Sequence, residues 1–398
     1  MVLKDFATKT EIIDKRNITV PGLWPIGIDY GYSAVKGFAC NKVFCFPNYA
    51  LKLPEDVQIL ETNETDLFLR EKDQQGNYVI WAIGNKAFDL NTRSDAINFE
   101  GEMFGRDRYE TPSFQAIIKT GLAIALLNNS AGAYKGETLY IQTGLPPAYR
   151  KADTELLKDA LAGDYHFSLK IGKKPYQPFD FSVDARNIII MDQPMGSLYS
   201  VLSDNEGKRS PADAVILSHS KSLILDPGFK TLDVFSIESS VVRSSMTFDD
   251  LGMYEVFSRT VRELNENYKC NLSVSQMQQV LKRGYATSFD RKERRSCIVQ
   301  IDQILEKNLK EVCNAALDKV GALHNYLQEY NYLIVTGGTG NAWFDMIRES
   351  YRYYETLTIL SANRYDPNLS NTYSNVRGYY LFLFNRLERK MRGSGGKR

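Results

Sequence analysis

Asp29 and Lys36 stand seven positions apart in "PIGIDYGYSAVKGF", residues 25–38, with Gly31, Tyr32 and Ser33 in the turn between two apolar runs. A turn whose backbone N–H groups face outward forms an anion-binding nest, and glycine lets a phosphate approach the main chain. Lys36 would then act as a point charge against phosphates. Asp29 would hold Mg²⁺, through water because that ion gives up its hydration shell reluctantly. The competing reading is an ordinary β-turn capped by Asp29, with Gly31 at positive φ. The pattern returns in "LILDPGFKTLDV", residues 223–234, where Asp226, Gly228, Lys230 and Thr231 precede a second aspartate, Asp233. Asp-Pro-Gly by itself is a common turn. As a second copy, it would let two hairpins face each other across a cleft and grip a polyphosphate from both sides.

Two further segments carry chemistry. In "YLIVTGGTGN", residues 332–341, an apolar run ends in Gly337 and Gly338, followed by Thr339 and Asn341. A flat ring could lie against that bare backbone while the following helix N-terminus faces phosphates. The segment matches neither GxGxxG nor the Walker A pattern. In "MDQPMGSLY", residues 191–199, Gln193 sits at a strand end, where a polar side chain can hold a water in line with a γ-phosphate. The alternative is a helix capped by Asp192 with Pro194 nearby.

The surrounding pattern supplies elements to position these residues. Apolar runs over "YVIWAI", "ETLYIQTGL" and "NIIIMD" predict strands, and "SFQAIIKTGLAIALLNN" and "KADTELLKDALAG" predict helices. Helices are also predicted over 250–266, 274–282, 297–330 and the C-terminal "SNVRGYYLFLFNRLERKMR", with "AVILS" a strand. Residues 1–21 read as a polar leader, an extended arm outside the fold, and "DNEGKRSPAD" as a domain junction. Each half opens with strand, Asp-x-Gly turn, strand, which is a repeat at domain scale. Strands and helices mixed in this order predict an α/β fold.

Composition narrows the classes. The chain has 398 residues, so two domains are expected. A formal net charge of +1 is unlike a highly basic nucleic-acid binder, so any DNA contact would run through a partner. Five cysteines form no CxxC pair, and Cys40 and Cys45 fall in an apolar run as buried thiols. The three histidines are scattered, with no metal-ligand spacing. The start lacks a signal peptide's apolar core and no run reaches membrane-spanning length, so a cytoplasmic protein is expected.

Together and in this order, the four segments resemble the phosphate-1, connect-1, phosphate-2 and adenosine motifs of the actin, Hsp70 and sugar-kinase superfamily. Within it, the chain resembles the ParM/StbA-type bacterial actins that segregate plasmids. The likeness also rests on "QTGLPPAYR", "SSMTFDDLGMYEV" and "SNVRGYYLF". It implies a duplicated actin-like (ribonuclease H-like) α/β fold with two domains around a nucleotide cleft. Domain I would cover 22–205 plus 366–391, with a small subdomain inserted at about 40–115. Domain II would cover 206–365, with a disordered tail over 392–398. The resemblance also implies an ATPase binding Mg²⁺ with ATP, GTP remaining open.

By the same likeness, Asp29 and Asp226 match the Mg²⁺-associated aspartates and Lys36 the phosphate-1 lysine, beside Gly31, Tyr32 and Ser33. Gly228, Lys230 and Thr231 match the phosphate-2 turn, and Gly337, Gly338, Thr339 and Asn341 the purine-side loop. Gln193 falls where conventional actin has a hydrolytic glutamine, whereas ParM has a glutamate there, and Asp192 is the lesser candidate. The implied partners are the protein itself in head-to-tail filaments and a ParR-like DNA-binding adaptor on centromeric plasmid DNA, with no membrane. A sugar or acetate kinase and a non-polymerising Hsp70-like switch are the alternatives.

Overall fold

The computed structural model describes residues 7–54, 57–59, 61–90, 106–290 and 292–395. The strands in chain order are β1 (Glu11–Asp14), β2 (Leu23–Tyr30), β3 (Ala34–Ala39), β4 (Lys42–Pro47), β5 (Ala50–Lys52), β6 (Leu67–Lys72), β7 (Tyr78–Ile83), β8 (Thr138–Leu145) and β9 (Gly163–Ile171). They continue with β10 (Gln177–Val183), β11 (Ile188–Asp192), β12 (Lys221–Pro227), β13 (Leu232–Glu238), β14 (Val241–Phe248), β15 (Tyr285–Asp290), β16 (Arg295–Gln300), β17 (Tyr332–Val335) and β18 (Thr358–Ser361).

Two of the sheets share one topology. The first runs β1-β4-β3-β2-β8-β11 and the other β14-β13-β12-β17-β18. Apart from β1, each is an antiparallel three-strand meander extended by two parallel strands. The repeat read from the two Asp-x-Gly turns is therefore a repeat of whole sheets. Its central strands are apolar almost throughout, as strands covered on both faces must be. Ile26, Ile28 and Val35 in one half and Ile224, Leu225 and Val234 in the other are at most 1% exposed. A third sheet, β10-β9-β6-β7-β5, joins the region near residues 50–83 to the hairpin 163–183.

The helix Ser374–Gly395 packs along the helix Gln193–Leu202 and against β2 of the first half. That packing needs bare backbone. A Cβ on Gly378 would lie 1.7 Å from the Gly196 carbonyl oxygen, so the helices cross with backbone against backbone.

Four local expectations are corrected. Residues 11–14, expected to lie outside the fold, form β1 on the edge of the first sheet, paired with β4 from Glu11↔Cys45 to Asp14↔Lys42. Four residues flanked by charges are too short to read as a strand, yet they cover an edge that would otherwise stand open. "AVILS" lies in the helix Pro211–Ser218, not a strand, because Ser210 caps it by accepting from the Asp213 N–H and Pro211 occupies the first turn. Residues 297–300, expected to be helical, belong to β16, which pairs with β15 as a separate hairpin. Short apolar runs do not distinguish the two states by periodicity. The expected tail over 392–398 is helical as far as Gly395, and residues 396–398 lie outside the described residues, as do residues 1–6 of the leader.

Candidate functional site

The hairpin geometry answers why Asp29 and Lys36 are seven apart. They are cross-strand partners on β2 and β3, and Lys36 Nζ reaches Asp29 Oδ2 at 3.2 Å. Asp29 is 3% exposed. Burial opposes the Lys36 charge, but the Asp29 carboxylate, Cys45 and Asp226 together hold the ammonium above its usual value. In the second half the equivalent cross-strand pair is Asp226↔Asp233, two carboxylates where the first half has an ion pair.

Asp226 is 2% exposed and accepts a hydrogen bond from Asn375 Nδ2 at 2.7 Å. Burial pushes its carboxyl up to about 6; the Asn375 bond, the Lys36 charge and Gln193 pull it down, and Asp29 adds repulsion. Asp233 is raised well above the usual carboxylate range by burial and by the Asp226 charge, although Thr247 Oγ1 donates to it at 2.6 Å. The floor thus concentrates acidic groups that are expensive to ionise without a cation nearby. Its carboxylates would suit a hydrated Mg²⁺, an ion usually held by one or two carboxylates. Among the described residues, no cluster of three or more His, Cys, Asp or Glu could enclose a metal by itself.

A helix beginning at Gly337 and another beginning at Gln193 border this floor. Gly337 has φ +78°, and a Cβ there would lie 2.7 Å from Asp226 Oδ1, so only glycine passes this close to the carboxylate. Thr339 Oγ1 donates to the Gly228 carbonyl at 2.8 Å, tying the glycine loop to the second hairpin. Ser197 Oγ, one turn into the Gln193 helix, bonds to Thr336 Oγ1 at 2.6 Å and also to Asn375 Oδ1, fixing the amide that donates to Asp226.

These elements enclose a cavity of about 520 Å³. Ser33 and Lys36 from the first hairpin, Asp226 and Gly228 from the second, and Gln193 all line it. Gly337, Gly338, Thr339 and Asn341 line it as well. Asp29 lies behind Lys36, bonded to it, and the Gly31 turn sits beside that pair. Other expected residues point elsewhere. Thr231 Oγ1 faces Asp233 at 3.5 Å, while its carbonyl closes the turn by accepting from the Gly228 N–H at 2.7 Å. Tyr32 lies under the Arg108 guanidinium, 4.3 Å from the ring centroid, and Lys230 Nζ is 5.1 Å from the same ring. Asp192 is paired with Arg150 Nε at 2.8 Å rather than facing the cavity. Sequence reasoning did not single out Asn375, Ser197 or Thr336. An Asn, a Ser and a Thr in ordinary helix and strand contexts give no signal until the fold brings them together.

Comparison with known proteins accords with this geometry. Residues 27–196 match the family model "Actin like proteins N terminal domain". The structure is similar to a non-polymerisable quadruple mutant of pCBH ParM, with TM-score 0.68 and 19% identity, covering 90% of this chain and 98% of that one. This chain has an actin-like fold. The subunit of a 15-stranded ParM filament from Clostridium botulinum gives TM-score 0.67 at 17% identity, covering 91% and 99% of the two chains. The ADP complex of Ta0583, an archaeal actin homolog, gives 0.59 at 17% identity, covering 92% and 99%. Curated protein sequences yield no significant match to the actin-like chain. Among its described residues, no helix is long and apolar enough to cross a membrane.

Proposed function

We propose that this actin-like chain is a nucleotide-dependent polymerising NTPase, taking ATP or GTP with Mg²⁺, and that its filaments move plasmid DNA through a ParR-like DNA-binding adaptor. The observation that carries the reading is the meeting of Lys36 from one half with Asp226 from the other on a single cavity, bordered by the first turn of the helix that begins at Gly337. The cavity's volume is within the ~300–1,000 Å³ usual for ligand sites. Bound Mg²⁺ would neutralise phosphate charge and polarise the γ-phosphate.

The chain's own residues would do the rest. Lys36 offers a fixed positive charge, and Asp29 holds that ammonium in place. Asp226, kept in position by Asn375, would hold waters of the hydrated ion. The start of the helix at Gly337 would offer first-turn N–H groups, which have no partner within the helix, to anionic oxygen. Gln193, which lines the cavity and lies close enough to Asp226 to lower its proton affinity, would hold a water by its amide. The Arg150 pairing of Asp192 supports Gln193 over Asp192 for that role.

Because each half contributes one hairpin, losing a γ-phosphate would remove contacts shared by both halves and change their relation. Head-to-tail contacts that do not close into a ring yield an open helical polymer. The solved structure of a ParM filament with this fold supports the polymer reading. Electron microscopy of the purified protein tests it: filaments are expected with ATP or GTP plus Mg²⁺ and none without nucleotide. Nucleotide uptake with no scattering particles would instead favour a monomeric switch.

A further inference from the structure

The cavity has a wall that the hairpins and the glycine loop do not provide. Residues Ala7 to Glu11, immediately before and at the start of β1, line it alongside Lys36 and Asp226. They precede the segment matched by the family model, which begins at residue 27. This stretch is tied to both halves of the molecule. The Asn85 side chain clamps it from the first half: Asn85 Oδ1 accepts from the Thr10 N–H at 2.9 Å and from Thr10 Oγ1 at 3.0 Å, and Asn85 Nδ2 donates to the Thr8 carbonyl at 3.1 Å. From the second half, Gln278 Oε1 accepts from the Thr8 N–H at 3.1 Å. Tyr373 Oη donates to Glu11 Oε2 at 2.6 Å.

Beside the strap, the helices Asn85–Leu90 and Met277–Arg283 bridge the halves directly. Gln279 Nε2 donates to the Phe88 carbonyl at 2.5 Å, and Lys282 Nζ lies 3.2 Å from Asp89. Further along, β1 is held by its pairing with β4, and Lys15 forms an ion pair with Asp366 at 2.7 Å. The segment is thus fixed at its β1 end. Its cavity end hangs on side-chain bonds that cleft opening would break, because Thr8 is bonded to Asn85 and Gln278 at once.

We propose that residues 7–11 are a strap that forms part of the nucleotide site and retains the bound nucleotide, so that release requires the Thr8 bonds to Asn85 and Gln278 to part. This rests on the reading of the cavity as a nucleotide site. The strap's walls are main-chain groups, Thr8 and Lys9, suited to contact the polar edge of a nucleoside diphosphate. Lys9, exposed on the strap, is its single cationic side chain.

The test is the dissociation rate of mant-ADP, or of mant-GDP if that is the nucleotide taken up, measured by stopped-flow displacement with excess unlabelled nucleotide. Two variants of the full chain release the strap: Asn85→Ala, which removes three bonds without touching the cavity wall, and deletion of residues 2–9, which leaves β1. Both are expected to release nucleotide about tenfold faster, while the melting temperature of nucleotide-free Asn85→Ala stays within about 2 °C of the wild type. Wild-type uptake with unchanged release from Asn85→Ala overturns the strap and leaves the nucleotide site standing. Faster release together with a fall of more than about 5 °C assigns Asn85 to the fold and also overturns it. A wild-type protein that takes up neither probe overturns both readings.

Discussion

Replacing Asp226 by asparagine should make the nucleotide-free protein more stable at pH 8 while abolishing its response to magnesium nucleotide. Asp226 is buried, and its carboxyl is raised from 3.8 to about 6, first by desolvation. That rise spans about two decades of proton affinity, which at ~1.4 kcal/mol per decade is about 3 kcal/mol. Because the folded-state value lies above the unfolded one, the group's contribution to stability is full below about pH 4 and is lost as pH rises through about 6. Asparagine has no such transition, and its carbonyl can still accept from Asn375. In EDTA, the variant and wild type should therefore melt within about 1 °C of each other at pH 4, with about half of the full difference already present at pH 5. At pH 8 the variant should melt higher by a few degrees, since ~1 kcal/mol moves the melting point of a chain this size by roughly 1–2 °C. Differential scanning calorimetry at these pH values reads this directly. Parallel pH dependences for the two proteins would refute the claim that burial of this carboxyl carries the cost. A variant still stabilised by magnesium nucleotide as strongly as wild type would refute its place in the site.

Two other changes probe separate parts of the argument. Gln193→Ala should slow phosphate release about 10²-fold while leaving assembly intact, giving longer-lived polymer by light scattering; equal turnover would remove Gln193 from the reaction. Gly378→Ala drives a methyl group into the Gly196 carbonyl at 1.7 Å and should cost more than about 3 kcal/mol, lowering the urea midpoint or preventing folding. An unchanged midpoint would mean the two helices can separate freely.

Much of the candidate site's framework was legible because its signals are local. An apolar run, an aspartate, a glycine and a second apolar run specify a hairpin through backbone sterics and period-2 patterning alone. The two copies correctly announced two matching sheets. Gly337 was legible for the same reason, since a strand ending in paired glycines marks a close backbone approach. The reading faltered where the deciding energy was not local. "AVILS" took the helical option through a cap one residue upstream, and residues 11–14 became a strand because β4 had an edge to cover.

The amino-acid order alone determined the two acidic hairpins, the glycine loop and the α/β layering, because turn chemistry and hydrophobic period act over a few residues. Only the tertiary structure decided that Asn375, 149 positions beyond Asp226, would be its hydrogen-bond partner. The same is true of the alignment of Asp233 with Lys36 as equivalent cross-strand positions, and of the leader crossing the cavity between Asn85 and Gln278. Those placements depend on two backbones meeting at Gly196 and Gly378 and on two halves closing on each other. No short-range pattern in the sequence encodes a contact whose partners are set by packing over hundreds of residues.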